Sequence, residues 1–166
     1  MSRGFVKEDD QAEAPFIPPR AALPDGVPNY VTPRGLQLLL DERSALEAER
    51  AAVEGSEDER RRAQAVIDGR LALLNERIVT ARLVEPAPDH DEVRFGSTVT
   101  FTHEAGRLAG TMLTFTIVGV DEADVKQGRI AFTAPLARAL MGRHIDEVAI
   151  LQLGAEQQRL RVVRIG

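Results

Sequence analysis

Two apolar heptad stripes, interrupted once at Gly55-Ser56, constrain more than any other feature what this 166-residue chain can fold into. In the second stripe Ala63, Ile67, Leu71, Leu74, Ile78 and Ala81 recur at alternating spacings of four and three. That spacing lines one face of an α-helix. In the first, Leu39, Leu46 and Val53 repeat at seven, with Leu36, Leu38 and Leu40 nearby and Arg43 and Arg50 at the intervening seam positions. Thr32-Pro33 is a strong start signal, because Thr offers an N-cap oxygen and Pro at the first helical position needs no N–H. Two helices of similar length joined by a tight turn fold back antiparallel, since each buries its stripe only against the other. At 1.5 Å per residue each arm is on the order of 30 to 40 Å long. The remaining faces are charged, so the hairpin is expected to project into solvent.

The turn reads Glu54-Gly55-Ser56-Glu57-Asp58-Glu59 and is followed by Arg60-Arg61-Arg62. Ser56 and Glu59 have the spacing of a capping box, and acidic residues in a first turn complement the helix dipole. That accounts for Glu59. It leaves Glu57 and Asp58 as outward carboxylates, candidate hard-oxygen ligands for a magnesium ion in a partner. The arginine run reads as a solvated face that partly neutralises the tip.

From Val93 onward the periodicity turns from helical to alternating. Val99 and Phe101, then Met112, Phe115, Ile117 and Val118, read as strands. So do Ile130 to Phe132, Val148 to Leu151 and Leu160 to Ile165. Pro135 to Gly142 is a short helix, with proline early and glycine at its end. Strands around one short helix make a compact α+β module with enough chain for a single small core.

Ahead of the hairpin, residues 1–29 mix charge, alanine and proline without periodicity, and six of the nine prolines lie at or before Pro33. This segment reads as a disordered tail. The sharper alternative is a docking strap with Phe5, Phe16 and Ile17 as apolar anchors. The domain reading is therefore a tail over 1–29, a hairpin over 30–86 and a C-terminal domain over 90–166.

Composition excludes several function classes. The chain has no cysteine, so it has no disulfide, thiolate zinc site or cysteine nucleophile. His90, His103 and His144 are scattered and lack metal-ligand spacing. A formal charge of -5 argues against electrostatic coating of nucleic acid. No apolar run is long enough for a membrane span, and no secretory leader pattern opens the chain, so a cytoplasmic setting is expected.

The stretch from Ile117 through Val118-Gly119-Val120-Asp121-Glu122-Ala123-Asp124 to Ile130, followed by Ala134-Pro135-Leu136-Ala137-Arg138 to Gly142, resembles the C-terminal domain of the bacterial Gre transcript-cleavage and elongation factors (GreA/GreB-like). Asn29-Tyr30-Val31-Thr32-Pro33-Arg34-Gly35 and Ile67-Asp68-Gly69-Arg70 resemble their coiled-coil domain. The likeness covers about residues 29–166. It implies an antiparallel coiled-coil hairpin followed by an FKBP-like α+β domain. It further implies a factor that docks on RNA polymerase at the mouth of the secondary channel and sends acidic tip residues to the active site. On that basis Glu57 and Asp58 are the candidate catalytic and metal-binding residues, acting on a magnesium ion shared with the polymerase. The chain would have no cofactor of its own. Asp121, Glu122, Asp124, Pro135, Leu136 and Arg138 are the candidate polymerase contacts. Such a factor is a monomeric coactivator or modulator rather than a free-standing enzyme, and it meets nucleic acid only within the polymerase complex. The family tip carries a G-D-x-x-E-N-type signature, whereas Gly55 to Glu59 lacks the asparagine. Both helices are also shorter than the family's, so a non-cleaving regulator is the alternative.

Two further classes follow from the residues alone. A prolyl isomerase would need an aromatic-lined pocket, for which the C-terminal domain offers Phe95, Phe101, Phe115 and Phe132; at alternating strand positions these read as core. A self-associating module would use Arg43 and Arg50 to pair with a second acidic helix.

Overall fold

The computed structural model describes residues 13–166. It holds a helical hairpin and a mixed α+β unit. Phe5 lies outside the described residues. The hairpin consists of α1 (Pro33–Ala51) and α2 (Glu57–Thr80). Thr32 caps α1 by accepting from the Gly35 N–H at 2.9 Å, and Pro33 occupies the first turn. Leu39, Leu46, Ile67 and Leu74 are buried between the helices, and Leu36, Val53, Leu71, Ile78 and Ala81 pack at their margins. These are the positions of the two heptad stripes. Leu74 is fully enclosed, and truncating such a side chain to alanine costs about 2–5 kcal/mol. Arg50, at a seam position, bridges to Asp68 of the opposite helix at 2.6 Å, so the charge that suggested a second chain is paired within this one.

A two-strand parallel ladder closes the base of the hairpin. It joins β1 (Tyr30–Val31) at the entry of α1 to β2 (Arg82–Leu83) at the exit of α2. Two-residue strands carry no periodicity that would set them apart from the helices they flank. The second unit is a five-stranded sheet of β3 (Thr98–His103), β4 (Met112–Val118), β5 (Arg129–Ala131), β6 (Val148–Leu153) and β7 (Glu156–Ile165). Their order is β5-β4-β3-β7-β6, with only β4 and β5 parallel. The short helix α3 (Pro135–Leu140) buries Ala137 and Leu140 in the core of this unit.

The core gathers Val99, Phe101, Ile117, Ile130, Leu151, Leu160 and Val162. The opposite face of β3 and β4 carries a threonine ladder, with Thr98 bonded to Thr116 and Thr100 to Thr114, each at 2.9 Å. Phe101 stacks on Phe115, while Phe132 packs edge-on against both Phe95 and Tyr30, and Tyr30 and Phe95 meet at a tilt. The four phenylalanines thus pack in two pairs, all in or against the core of this unit. None of the helices is long and apolar enough to cross a membrane among the described residues.

Candidate functional site

The tip of the hairpin is built by its cap. Ser56 Oγ accepts from the Glu59 N–H at 3.3 Å, and Glu59 Oε2 accepts from the Ser56 N–H at 2.8 Å. Both halves of the capping box are present. The backbone hydrogen bond from Ser56 holds the Glu59 carboxyl below its usual range. Gly55 makes the turn at a φ of 118°, a value that disfavours side chains. A Cβ at that position would lie 2.9 Å from the Glu59 carboxylate.

With Glu59 committed to the cap, Glu57 and Asp58 stand exposed on the first turn of α2. Asp58 accepts from Arg61 one turn on, at 2.9 Å. No cluster of three or more His, Asp or Glu side chains suited to a metal ion exists among the described residues. Two carboxylates on successive helical positions point about 100° apart, given 3.6 residues per turn, and do not enclose an ion unaided.

The candidate contacts of the C-terminal unit separate into two groups. Asp121 and Glu122 face the hairpin base. Glu122 is buried, accepts from Thr32 Oγ1 at 2.5 Å and pairs with Arg34 at 3.2 Å. Asp121 receives Arg20 at 3.0 Å and Arg77 at 3.1 Å. Both carboxylates are therefore occupied within the chain. Pro135 and Arg138 are exposed on α3, Asp124 is half-buried beside a 3-10 turn, and Leu136 is half-buried against the core.

The two units approach too closely for side chains at two glycines. A Cβ on Gly119 would meet the Tyr30 carbonyl oxygen at 2.5 Å, and one on Gly35 would meet Glu122 Oε2 at 2.7 Å. Each glycine was visible in the sequence, but its role depends on a neighbour roughly ninety residues away.

Residues 87–166 match the family model described as transcription elongation factor, GreA/GreB, C-terminal. The protein named transcription elongation factor GreA of Acidiphilium cryptum is 38% identical over 109 residues, covering 64% of this chain and 68% of that protein. The chain belongs to the GreA/GreB family. The GreA protein of Legionella pneumophila strain Corby is 33% identical over 107 residues, which are 63% of this chain and 65% of its own length. Among solved structures, Gfh1 of Thermus thermophilus covers 82% of this chain and 97% of its own, at 20% identity and a TM-score of 0.39. A GreA/GreB factor from Nitrosomonas europaea covers 84% and 98%, at 19% identity and a TM-score of 0.40.

In this Gre-family chain two of the stretches that carry the sequence resemblance meet in space. Thr32, Arg34 and Gly35 from one contact Glu122 from the other. The proline-rich segment ahead of them forms no helix or strand where described, as its prolines dictate. From Ile17 onward it nevertheless lies against the hairpin: Ile17 fills the space left by Gly69, and Arg20 clamps Glu42 with bonds of 2.8 and 3.0 Å. Phe16, the other described anchor candidate, is exposed. Arg20, absent from the sequence-based candidates, carries the densest polar contacts of the segment. An arginine among prolines gives no signal of its own until Glu42 and Asp121 are seen beside it.

Proposed function

We propose that this chain is a transcription elongation factor of Gre type that binds RNA polymerase through its secondary channel and presents Glu57 and Asp58 to the polymerase active site. The observation that carries this reading is the division of labour at the tip. Glu59 is consumed by the cap, while its two acidic neighbours remain exposed at the end of the hairpin remote from the C-terminal unit. Relatives that bear the name transcription elongation factor GreA support it.

In this reading the hairpin works as a coiled coil, and the C-terminal unit, FKBP-like by family resemblance, docks at the channel mouth. Asp124, Pro135, Leu136 and Arg138 are its contacts, with Asp121 and Glu122 acting behind them by setting the angle of the hairpin. The carboxylates fit a shared ion better than a resident one, because two divergent oxygens complete a coordination shell held mainly by the partner. A magnesium ion so held would activate water for hydrolysis of backtracked RNA. The protein residues contribute reach, charge and position, and the factor is a coactivator rather than an enzyme. Its cytoplasmic setting follows from the proposed partner.

A second reading has its own observation. Asp58 is tied to Arg61 on the same helix, and α1 is only 19 residues long. A factor whose tip carries an ion-paired Asp58 on a short arm would regulate the polymerase without cleavage. Stalled elongation complexes with labelled RNA distinguish the two. The cleavage reading expects RNA shortening with the natural chain and loss of it in the Glu57→Ala, Asp58→Ala double variant. No shortening with the natural chain sinks that reading in favour of the regulator.

A further inference from the structure

We propose that the segment from Ile17 to Pro28 is a built-in brace that fixes the angle between the hairpin and the C-terminal unit, with Arg20 as its locking node. The partly buried positions of this segment begin Ile17, Arg20, Leu23. A spacing of three puts them on one face of an extended polyproline-type chain, which suits a stretch containing Pro18, Pro19 and Pro24.

Each of these side chains holds something different. Ile17 seats on α2 where Gly69 has no side chain, and a Cβ there would collide with Ile17 Cδ1. Arg20 forks onto Glu42 of α1 through both terminal nitrogens, and its Nε donates to Asp121 of the C-terminal unit at 3.0 Å. Leu23 and Val27 pack on the core of that unit. Arg77 of α2 joins the node by donating to Asp121 and to the carbonyl of Ala21. One short segment thus touches both helices and the second unit.

The node is desolvated enough to be firm. The side chains of Arg20, Arg77 and Asp121 are 18%, 14% and 9% exposed. The hydrogen bonds to Glu42, with the charges of Asp121 and Glu42, outweigh burial and hold the Arg20 guanidinium more firmly protonated than usual. A planar fork between two carboxylates is a task for arginine in particular.

Mechanics explains why such a part is useful. The contacts of Tyr30, Thr32 and Gly35 all lie at the foot of the hairpin, where they define a pivot. Gly69 lies eleven residues before the end of α2, about 16 Å further out. A strut anchored there resists tilting with a lever arm that the pivot lacks. Without it the tip would sample a cone, and the position of Glu57 and Asp58 would be lost whatever they act on.

The chain has no cysteine, so paired labels go where they are placed. Ala52→Cys, next to the hairpin turn, and Gln157→Cys, on the far hairpin of the sheet, are both exposed. Spin labels on the full chain report the distance between them. In the parent protein we expect one narrow distribution. Arg20→Ala should broaden it about twofold, as the minor orientations become populated.

Gly69→Ala is the second variant: alanine favours the helix, and its Cβ would collide with Ile17 Cδ1, so the Ile17 side chain must shift. It should broaden the distribution with helical circular dichroism retained, a combination that general structural damage would not produce. Arg20→Lys should recover only part of the narrowing, since an ammonium does not fork. A distribution left unchanged by both Arg20→Ala and Gly69→Ala, or a broad one in the parent protein, overturns the brace.

Discussion

Thr32 Oγ1 donates a 2.5 Å hydrogen bond to Glu122 Oε2 while accepting the Gly35 N–H at 2.9 Å. One hydroxyl thereby caps α1 and ties it to a buried carboxylate of the other unit, so the helix start and the interdomain contact are a single structure. Thr32→Ala should cost about 1–2 kcal/mol from the cap alone. Glu122→Ala should cost about 1–3 kcal/mol, because it leaves the Thr32 hydroxyl and Arg34 without their buried acceptor. Denaturant titration of both singles and the double should show non-additivity, as residues in one network do.

Gly119 should tolerate no side chain. Its missing Cβ is what lets the Tyr30 carbonyl come within 2.5 Å of that position. Gly119→Ala is expected to destabilise by about 1–3 kcal/mol through overpacking. The near-ultraviolet signal of Tyr30, which reports its packing on Phe95 and Phe132, should weaken in parallel.

The tip residues should divide cleanly by role. Ser56→Ala removes the N-cap and should lower stability by about 1 kcal/mol. Glu57→Ala and Asp58→Ala, exposed and outside the cap, should stay within about 0.5 kcal/mol of the parent protein. Thermal unfolding followed at a helical wavelength separates them. A large loss in Glu57→Ala would give that side chain a structural task in place of the proposed functional one.

Acid should loosen the hairpin through identifiable carboxylates. Asp68 is held below its usual range by the hydrogen bond from Arg50, and Glu59 by the Ser56 backbone. Their stabilisation is present above the unfolded carboxylate range, about pH 4, and is lost as the pH falls through the lowered folded values. Helix stability measured against pH should decline there, and the Glu59→Gln, Asp68→Asn double variant should decline less steeply.

The parts that were legible in the sequence are those with a period or a local partner. Leu39, Leu46, Ile67 and Leu74 repeat at helical spacing and are the buried seam. Ser56 and Glu59 are three residues apart and form the cap. Strands β3 to β7 and helix α3 follow alternation and turn residues within a few positions. The long-range pairings were not legible. Glu122 and Asp121 resemble exposed acids in a turn until Thr32, Arg20 and Arg77 arrive from elsewhere in the chain. Likewise nothing adjacent to Ile17 says that Gly69 has left a space for it. The candidate tip was readable because its cap is local. The part of the candidate docking set that faces inward was not.

A photo-crosslinking amino acid at position 57 of the full chain, bound to purified bacterial RNA polymerase, tests the central claim most directly. The account predicts adducts at the polymerase active centre, abolished by excess unlabelled chain. Adducts confined to the outer surface, or none at concentrations where the two proteins are mixed in excess, would contradict it.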